Sequence, residues 1–343
     1  MEDLIKKQEN SSDEEIDIEL EDDWKISINK EKLFWQTIII PHMVYIPNNC
    51  PYCYKKTIRL AEKQKSDIIN PYYLLCNNKL CKRKKSIRVY SFLNCAKLIP
   101  ASVVYEIICL FLIEMKNGKE IETYLKSKYE KIPNYSTILK ILKNIRCSIA
   151  EFIKHRYKKT QIGGAPEENK IVAIDESLIS HEQNKQIWLV GAIDTSSKSV
   201  RIEIIPERNR ENLKCFVKNH IIPGTHLTHD QWPAYSFLDD EDSVWTHECH
   251  SHGHGDFGLG LHSTSHIEQY WGRIKSLIKK IYTVIPKDGI IYYVKEAEFR
   301  SFFNKDSVKE KENLIFKLFK EVYDICQFNY SSESEIRDFN NYN

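Results

Sequence analysis

The spacing of apolar residues changes near residue 170, and this change predicts a helical part followed by a part rich in strands. In the segment 101–115, apolar side chains recur at steps of three and four, which predicts an amphipathic helix that ends at an Asn-Gly pair. Residues 120–129 and 136–157 continue as two more predicted helices. The segment 161–170 contains two glycines and a proline, so we interpret it as a linker.

After the linker, strands and helices follow one another in an informative order. Residues 171–174 form a continuous apolar run, as expected of a strand that is buried on both faces. The further predicted elements are a hairpin at 187–205, a helix at 211–221, a strand at 226–230 and an amphipathic helix at 266–281. This order matches the ribonuclease-H-like arrangement. We therefore predict an α/β domain with a mixed sheet and flanking helices.

Charge is distributed unevenly along the chain. The net charge of the 343 residues is only +2, yet residues 1–30 contain 11 acidic and 4 basic residues. Such a tail has too few apolar residues to form a core, so we predict that it is disordered. The rest of the chain is basic, which indicates a polyanionic partner.

Several classes of protein are excluded by composition. Ten cysteines in a chain of this length are far below the density of a disulfide scaffold, which indicates a reducing compartment. The longest apolar run, residues 107–113, is too short to span a bilayer. The first thirty residues are charged, so we expect no signal peptide. We expect neither a secreted nor a membrane protein.

Four cysteines have the spacing of a zinc site. Cys50 and Cys53 form one pair, Cys76 and Cys81 form a second pair, and 22 residues separate the two pairs. Four thiolates on two short turns suit tetrahedral Zn²⁺, although four intervening residues in the second pair are less common than two. The alternative is that these are buried free cysteines. The adjacent basic run, Lys82, Arg83, Lys84 and Lys85, with Arg88 nearby, predicts a phosphate-contacting surface; a solvated face is the alternative.

Three acidic residues stand where a metal-dependent nuclease or transferase needs them. Asp175 is expected to end the first buried strand, Asp230 to end the strand at 226–230, and Glu268 to lie on the first turn of the last amphipathic helix. Two Mg²⁺ ions held by such carboxylates can stabilise both the attacking and the leaving oxygen of a phosphodiester. Lys275 shares an edge of the helix with Glu268, since seven residues return to nearly the same side. Chance placement of acids at strand ends is the alternative.

The blocks around these acids make the sequence similar to a known family. The stretches are CPYC and CNNKLC, VAIDES, WLVGAID, PERNR around Arg208, PGTHLTHDQWPAY, HSTSHIEQYWGRIK and YYVKEAEFR. Over residues 45–303 the chain resembles the DDE transposases of the Merlin superfamily and their bacterial insertion-sequence relatives. The resemblance implies that Asp175, Asp230 and Glu268 are a metal-binding catalytic triad and that Lys275 and Arg208 contact DNA. One departure is Ser265, where the family often has asparagine.

The pattern and the resemblance together predict a domain organisation. The predicted parts are an acidic tail at 1–30, a zinc ribbon at 31–98, a helix-turn-helix-like DNA-binding module at 99–160, a linker at 161–170, a ribonuclease-H-like DDE domain at 171–305 and a C-terminal helix and tail at 306–343. A plain helical bundle remains the alternative for the module at 99–160.

The resemblance implies a DNA transposase that uses two Mg²⁺ ions to cleave element ends and join them to target DNA, with Zn²⁺ as a structural ion. Its partners would be double-stranded DNA, as transposon ends and target, and further copies of the chain. It would be nuclear in a eukaryote and otherwise cytoplasmic with the nucleoid. The alternatives are a domesticated DNA-binding protein that no longer transposes and a structure-specific nuclease.

Two tryptophans and a cluster of histidines lie close in sequence to the predicted acids. Trp232 and Trp271 are interpreted as core packing and not as base-stacking residues. A cluster formed by His247, Cys249, His250, His252 and His254 could hold a second metal, or it could be a solvated Gly-rich loop.

Overall fold

The chain divides into two units, which are described separately. Residues 1–107 and 119–138 belong to the first unit, and residues 108–118 and 139–343 to the second. The computed structural model describes residue 24 and the ranges 26–63, 67–164, 170–182, 185–250, 260–281, 289–301 and 307–330. Most of the predicted acidic tail lies outside these residues.

Short helices and a small sheet make up the first part of the chain. The strands β1 (Ile58–Glu62), β2 (Tyr72–Cys76) and β3 (Lys84–Ser86) form an antiparallel sheet in that order. The helices are α1 (Ile28–Phe34), α2 (Ile40–Met43), α3 (Ala101–Leu112), α4 (Gly118–Lys128) and α5 (Tyr135–Lys159). None of the helices in the described ranges is long and apolar enough to cross a membrane.

Two buried charges satisfy backbone groups in the first unit. Glu31 Oε1 accepts a hydrogen bond of 2.7 Å from the backbone N–H of Ala101, so it caps the start of α3. Arg88 is only 2% exposed, and its guanidinium donates to the carbonyl oxygens of Ala96 at 2.8 Å and Ile99 at 2.6 Å. The prediction that Arg88 adds to a phosphate-contacting surface is therefore wrong, because buried carbonyl oxygens occupy its donors.

A five-stranded mixed sheet lies at the centre of the second unit. Its strands are β4 (Ile171–Glu182), β5 (Lys185–Asp194), β6 (Val200–Ile205), β7 (His226–Asp230) and β8 (Thr246–His250), in the order β6-β5-β4-β7-β8. The strands β4, β5 and β6 are antiparallel neighbours, β7 is parallel to β4, and β8 is parallel to β7. The further helices are α6 (Arg210–His220), α7 (Ser265–Ile281), α8 (Ile290–Ser301) and α9 (Val308–Tyr330). The predicted hairpin and mixed sheet with flanking helices are confirmed.

Each face of the central sheet has its own apolar core. Val172 and Ile174 of β4 pack with Phe216 of α6 on one face. Ala173, between them in sequence, packs on the other face with Ile267 and its helical neighbours on α7. Because side chains alternate along a strand, Asp175 belongs to the α7 face and Glu176 to the α6 face.

The strand β4 is longer than the apolar run that predicted it. Asp175 pairs with Gly191 in the middle of the hairpin, and pairing continues from Glu176 to Glu182. The prediction that Asp175 ends the strand is therefore wrong. The acidic side chain interrupts the apolar pattern but not the backbone pairing, since the ladder of hydrogen bonds does not depend on side-chain polarity.

Helix α8 contributes buried charges to the second unit. Arg300 is 1% exposed and donates to Glu296 Oε1 at 2.7 Å and to the carbonyl oxygen of Phe111 at 2.7 Å. Arg146 of α5 donates to the other oxygen of Glu296 at 2.8 Å. Each buried charge is thus paired, as burial in a region of low dielectric requires.

Candidate active site and metal centres

Strand register places two acidic residues side by side on the α7 face of the central sheet. Ala173 of β4 pairs with Thr228 of β7 in parallel register. This is the last paired position; Asp175 and Asp230 each follow it by two residues on their own strands, and the charge of Asp230 acts on Asp175. Both residues keep the face of Ala173 and Thr228 because side chains alternate with a period of two. Asp230 ends β7, as predicted.

Close packing of α7 on the sheet brings the third acid to the same face. A Cβ atom at Gly191, the partner of Asp175, would lie 2.5 Å from the ring of Trp271, so the indole rests directly on the glycine. Glu268 lies in the first turn of α7, three residues before Trp271. Residues three apart share one side of a helix, so Glu268 is directed to the same region. Trp271 is 4% exposed and belongs to the core, as expected.

Burial and the charges of neighbouring acids both act on the carboxyl group of Asp175. Burial, together with the charges of Glu176, Asp230 and Glu268, raises the pKa of Asp175 to about 7. A carboxylic acid with this pKa has lost part of its solvation and is surrounded by like charges. Such a group is a candidate functional residue, because a cation is what would relieve the repulsion.

Glu176 faces away from this cluster and has its own partners. It accepts a hydrogen bond of 2.5 Å from Tyr235 Oη and one of 2.6 Å from Arg208 Nε. Burial raises the pKa of Glu176, whereas the bond from Tyr235 and the charge of Arg208 lower it. Glu176 is therefore a supporting acid and not a member of the cluster.

Arg208 joins the supporting acid to the cluster. Its Nη2 donates to Asp230 Oδ2 at 3.2 Å, while its Nε donates to Glu176. The guanidinium lies 4.1 Å from the ring centre of Trp232 and 5.3 Å from that of Trp188. Trp232 is 39% exposed, so the interpretation of this residue as core packing is wrong. It covers a cation at the surface and not the apolar core.

The predicted DNA-contacting residue Lys275 lies on α7. It is half-buried and follows Glu268 by seven residues, close to two full turns, so both face the same side of the helix. Its contact with DNA stays a prediction.

The four predicted zinc ligands converge in the first unit. Cys50 Sγ lies 3.8 Å from Cys81 Sγ, and Cys53 Sγ lies 3.7 Å from Cys76 Sγ. All four sulfur atoms lie within 4.8 Å of one another. A tetrahedron with Zn–S bonds of about 2.3 Å has edges of about 3.8 Å, so the sulfur atoms fit a zinc ion. These distances also exclude a disulfide, whose sulfur atoms are about 2 Å apart.

The backbone around Cys53 favours its thiolate, whereas at Cys81 a hydrogen bond from the Arg83 backbone is outweighed by burial and the neighbouring thiols, which raise the pKa to about 11. The residues after the second cysteine of each pair, Tyr54 and Lys82, have left-handed φ values of 57° and 46°, which close the two turns. The backbone of Lys55 and the side-chain amide of Asn78 donate hydrogen bonds that lower the pKa of Cys53 to about 6. The thiolate is the form that binds metal.

The basic run lies next to this cysteine cluster. The guanidinium of Arg83 lies 4.8 Å from the ring of Tyr52, and Lys84 Nζ lies 5.0 Å from the ring of Tyr73. Lys82, Arg83 and Lys84 are exposed and Lys85 is half-buried. Side chains in these positions are accessible to a polyanion, and DNA binding stays a prediction.

The predicted histidine cluster does not form one site. His247 Nε2 donates a hydrogen bond of 3.1 Å to Asp239 Oδ1, and its Nδ1 lies 3.0 Å from His229 Nε2, on the α6 side of the sheet. His250 lies on the opposite face, since it pairs with Asp230 and alternates with Cys249. His252 and His254 lie outside the described residues.

The structure instead brings together His226, Glu248 and His262, whose ligand atoms lie within 4.8 Å of one another. Sequence reasoning missed this group because its members come from β7, β8 and the turn before α7. Only the strand register, which sets His226 beside Thr246 and Thr228 beside Glu248, reveals it.

One protein family and two solved structures are similar to parts of the chain. Residues 155–301 match the family described as the ISXO2-like transposase domain. The chain is similar to the HTLV-2 integrase catalytic core domain in complex with magnesium, with 19% identity, a TM-score of 0.28, and coverage of 38% of this chain and 82% of that one. It is also similar to the catalytic core domain of BIV integrase, with 13% identity, a TM-score of 0.28, and coverage of 40% and 87%. No curated protein matches the chain.

Proposed function

We propose that the protein is a DNA transposase that cleaves the ends of its element and joins them to target DNA, since residues 155–301 match the ISXO2-like transposase domain. The observation that supports this most directly is that Asp175, Asp230 and Glu268, from β4, β7 and α7, act on one another: burial and the charges of Glu176, Asp230 and Glu268 raise the pKa of Asp175 to about 7. Like charges gathered at one place are typical of a site for cations.

The acids fit Mg²⁺ by their chemistry. Carboxylate oxygens are the ligands that Mg²⁺ prefers, and its remaining positions are filled by water and phosphate oxygens. Asp175, Asp230 and Glu268 would hold two such ions. When bound, these ions supply stabilisation of the charge that develops on the attacking and leaving oxygens of the phosphodiester.

The protein's own residues keep the acids in place. Arg208 holds the carboxylate of Asp230 at 3.2 Å, and Trp271 fixes α7 against Gly191 so that Glu268 cannot move away from the sheet. Catalysis of phosphoryl transfer is mostly positioning and charge stabilisation, so this rigidity is the contribution expected of the chain. Lys275, on the side of α7 that carries Glu268, would contact a DNA phosphate.

The first unit would bind DNA through its zinc ribbon. Zn²⁺ held by Cys50, Cys53, Cys76 and Cys81 would stabilise a small sheet, and the run 82–85 would contact the phosphate backbone. Arg208 is held by two acids, so we assign it to positioning the carboxylate of Asp230. A DNA phosphate would contact Arg208 only by displacing one of these acids. Assembly of several copies on paired DNA ends completes the proposal.

The proposal is tested with labelled element ends and target DNA, with and without Mg²⁺. Wild-type protein should give joined products only with Mg²⁺, and Asp175→Ala should give none while still binding DNA. Asp242→Ala is a matched control, because Asp242 is an exposed acid in a turn of the same unit. Equal joining by wild type and Asp175→Ala would contradict the proposal. Binding without any joining by the wild type would favour the domesticated DNA-binding protein.

A further inference from the structure

The outer edge of the central sheet contains a group of residues that the proposed chemistry does not use. His226 lies at the start of β7, Glu248 lies in the middle of β8, and His262 lies in the turn Gly260–His262 just before α7. We propose that these three side chains bind a transition-metal ion of the Zn²⁺ class, at a site separate from both the cysteine cluster and the three acids.

Nitrogen atoms of three imidazoles converge on one carboxylate oxygen of Glu248. Glu248 Oε1 lies 3.6 Å from His226 Nε2 and 3.7 Å from His250 Nε2, and it is in direct contact with His262 Nδ1. Of these three imidazoles, only that of His262 hydrogen-bonds this oxygen, whereas the nitrogens of His226 and His250 approach it from beyond hydrogen-bonding distance. A cation among these atoms accounts for their approach from three directions.

The ring of His226 is oriented by its contact with Thr246. Its Nδ1 lies 2.9 Å from Thr246 Oγ1, and this contact directs Nε2 towards Glu248. Within the described part of the chain, that buried Nε2 has no hydrogen-bond partner. Histidine ligands commonly use one ring nitrogen for a fixed neighbour and the other for the metal. An otherwise unexplained buried nitrogen is therefore accounted for by an ion.

His262 is held in position by its backbone. The carbonyl oxygen of His262 accepts a hydrogen bond of 2.9 Å from Thr228 Oγ1, and Thr228 pairs with Glu248 across the strands. The ring centres of His226 and His262 are 5.5 Å apart. The two imidazoles and the carboxylate thus come from backbone positions that the fold already fixes, which lowers the entropic cost of binding.

The donor set selects the class of metal. Two imidazoles and one carboxylate are typical ligands of Zn²⁺, whereas Mg²⁺ prefers oxygen alone. A fourth position remains for water or for His250, whose Nε2 is near the same carboxylate oxygen. The site therefore differs in chemistry from the four thiolates and from the three acids.

Such an ion would tie the edge strand to the segment that leads into α7. His262 precedes Glu268 by six residues, and Glu248 precedes His250, the residue paired with Asp230. Binding would therefore restrain the start of the helix that carries Glu268. This consequence rests on the proposed function, whereas metal binding itself does not.

The test is a metal count on the full-length chain reconstituted with Zn²⁺ in the presence of excess Mg²⁺, which occupies oxygen-only sites. Wild type should hold two zinc ions per chain, and His226→Ala/His262→Ala should hold one. His247→Ala is the matched control, because His247 is next to Glu248 but on the other face, and it should hold two. If the double variant fails to fold, Glu248→Gln takes its place in the test, because it keeps the shape of the side chain, and it should also lose this ion.

Cobalt distinguishes which site has been lost. With Co²⁺ in place of Zn²⁺, His226→Ala/His262→Ala should keep the charge-transfer absorption of cobalt bound to thiolates, and Cys50→Ser/Cys81→Ser should lose that absorption but keep one ion. A wild-type chain with a single zinc ion, or a Glu248→Gln chain that still binds two, would overturn the proposal. These measurements use no DNA, so they are independent of whether the protein transposes.

Discussion

The substitution Asp175→Asn is expected to stabilise the metal-free protein while abolishing DNA joining. Asparagine has nearly the same shape as aspartate but carries no charge. In the folded chain the charge of Asp175 is opposed by burial and by the charges of Glu176, Asp230 and Glu268. Removal of that charge therefore relieves repulsion in the folded state and has little effect on the unfolded chain. A gain in stability with a loss of activity is the pattern expected at a site selected for function.

The size of the effect follows from the pKa. The rise in the pKa of Asp175 from 3.8 to about 7 corresponds to a loss of at most about 4 kcal/mol in the free energy of unfolding, since one pKa unit is worth about 1.4 kcal/mol. The side chain of Asp175 is only half-buried, so solvent screening lowers the expected gain to about 1–2 kcal/mol. Because the folded pKa is raised, wild type loses this stability as the pH rises from about 4 to about 7. The advantage of the variant should be absent near pH 4 and constant above pH 7.

Urea unfolding in the presence of EDTA, followed by tryptophan fluorescence, measures this difference. Four of the six tryptophans, at 188, 232, 245 and 271, belong to the second unit, so the signal reports mainly on the unit that contains Asp175. Added Mg²⁺ should stabilise wild type and not the variant, because only the wild-type site binds the ion. Two results would refute the reasoning. One is a variant that is less stable than wild type at pH 8, and the other is a difference in stability between variant and wild type that is the same at pH 5 and at pH 8.

Three further predictions concern other parts of the chain. Arg208→Ala should lower stability at pH 8 by about 2–4 kcal/mol, because it leaves the carboxylate of Glu176 buried without its cation; urea unfolding measures this, and recovery in Arg208→Ala/Glu176→Gln is the control. Cys50→Ser should remove one zinc ion and the stability of the β1–β3 sheet, measured by metal analysis and circular dichroism, and unchanged zinc content would contradict it. Arg83→Ala/Lys84→Ala should lower the slope of log binding constant against log salt by up to about 1.8 on random DNA, and an unchanged slope would exclude both residues from phosphate contact.

Much of the second unit could be predicted from the sequence because its elements have distinct periods. The apolar stripe of α7 and the run before Asp175 gave the correct order of strands and helices, and the family resemblance is confirmed for residues 155–301. The end of β4 could not be predicted in this way. A buried charge such as Glu176 resembles a surface residue in any hydrophobicity pattern, and only its bonds to Tyr235 and Arg208 show that it lies inside.

Residues that meet through strand register were the main omission. His226 and His262 are far apart in sequence and have no motif in common, so spacing within one segment could not relate them. The dense run from His247 onwards indicated a possible metal site instead, although alternation directs His247 and His250 to opposite faces of β8. Density of a residue type along a strand is therefore a poor guide to a metal site unless the residues are separated by an even number of positions.

The two aspartates of the candidate site differ in how the metal-free protein accommodates them. Asp230 has a cation at 3.2 Å, the guanidinium of Arg208, whereas burial and neighbouring acids raise the pKa of Asp175 to about 7. Near neutral pH, Asp175 is therefore protonated in about half of the metal-free molecules. A divalent ion must displace that proton, so its apparent affinity should fall as the pH drops below 7. The proton on Asp175 thus makes the proposed binding of the ion depend on pH.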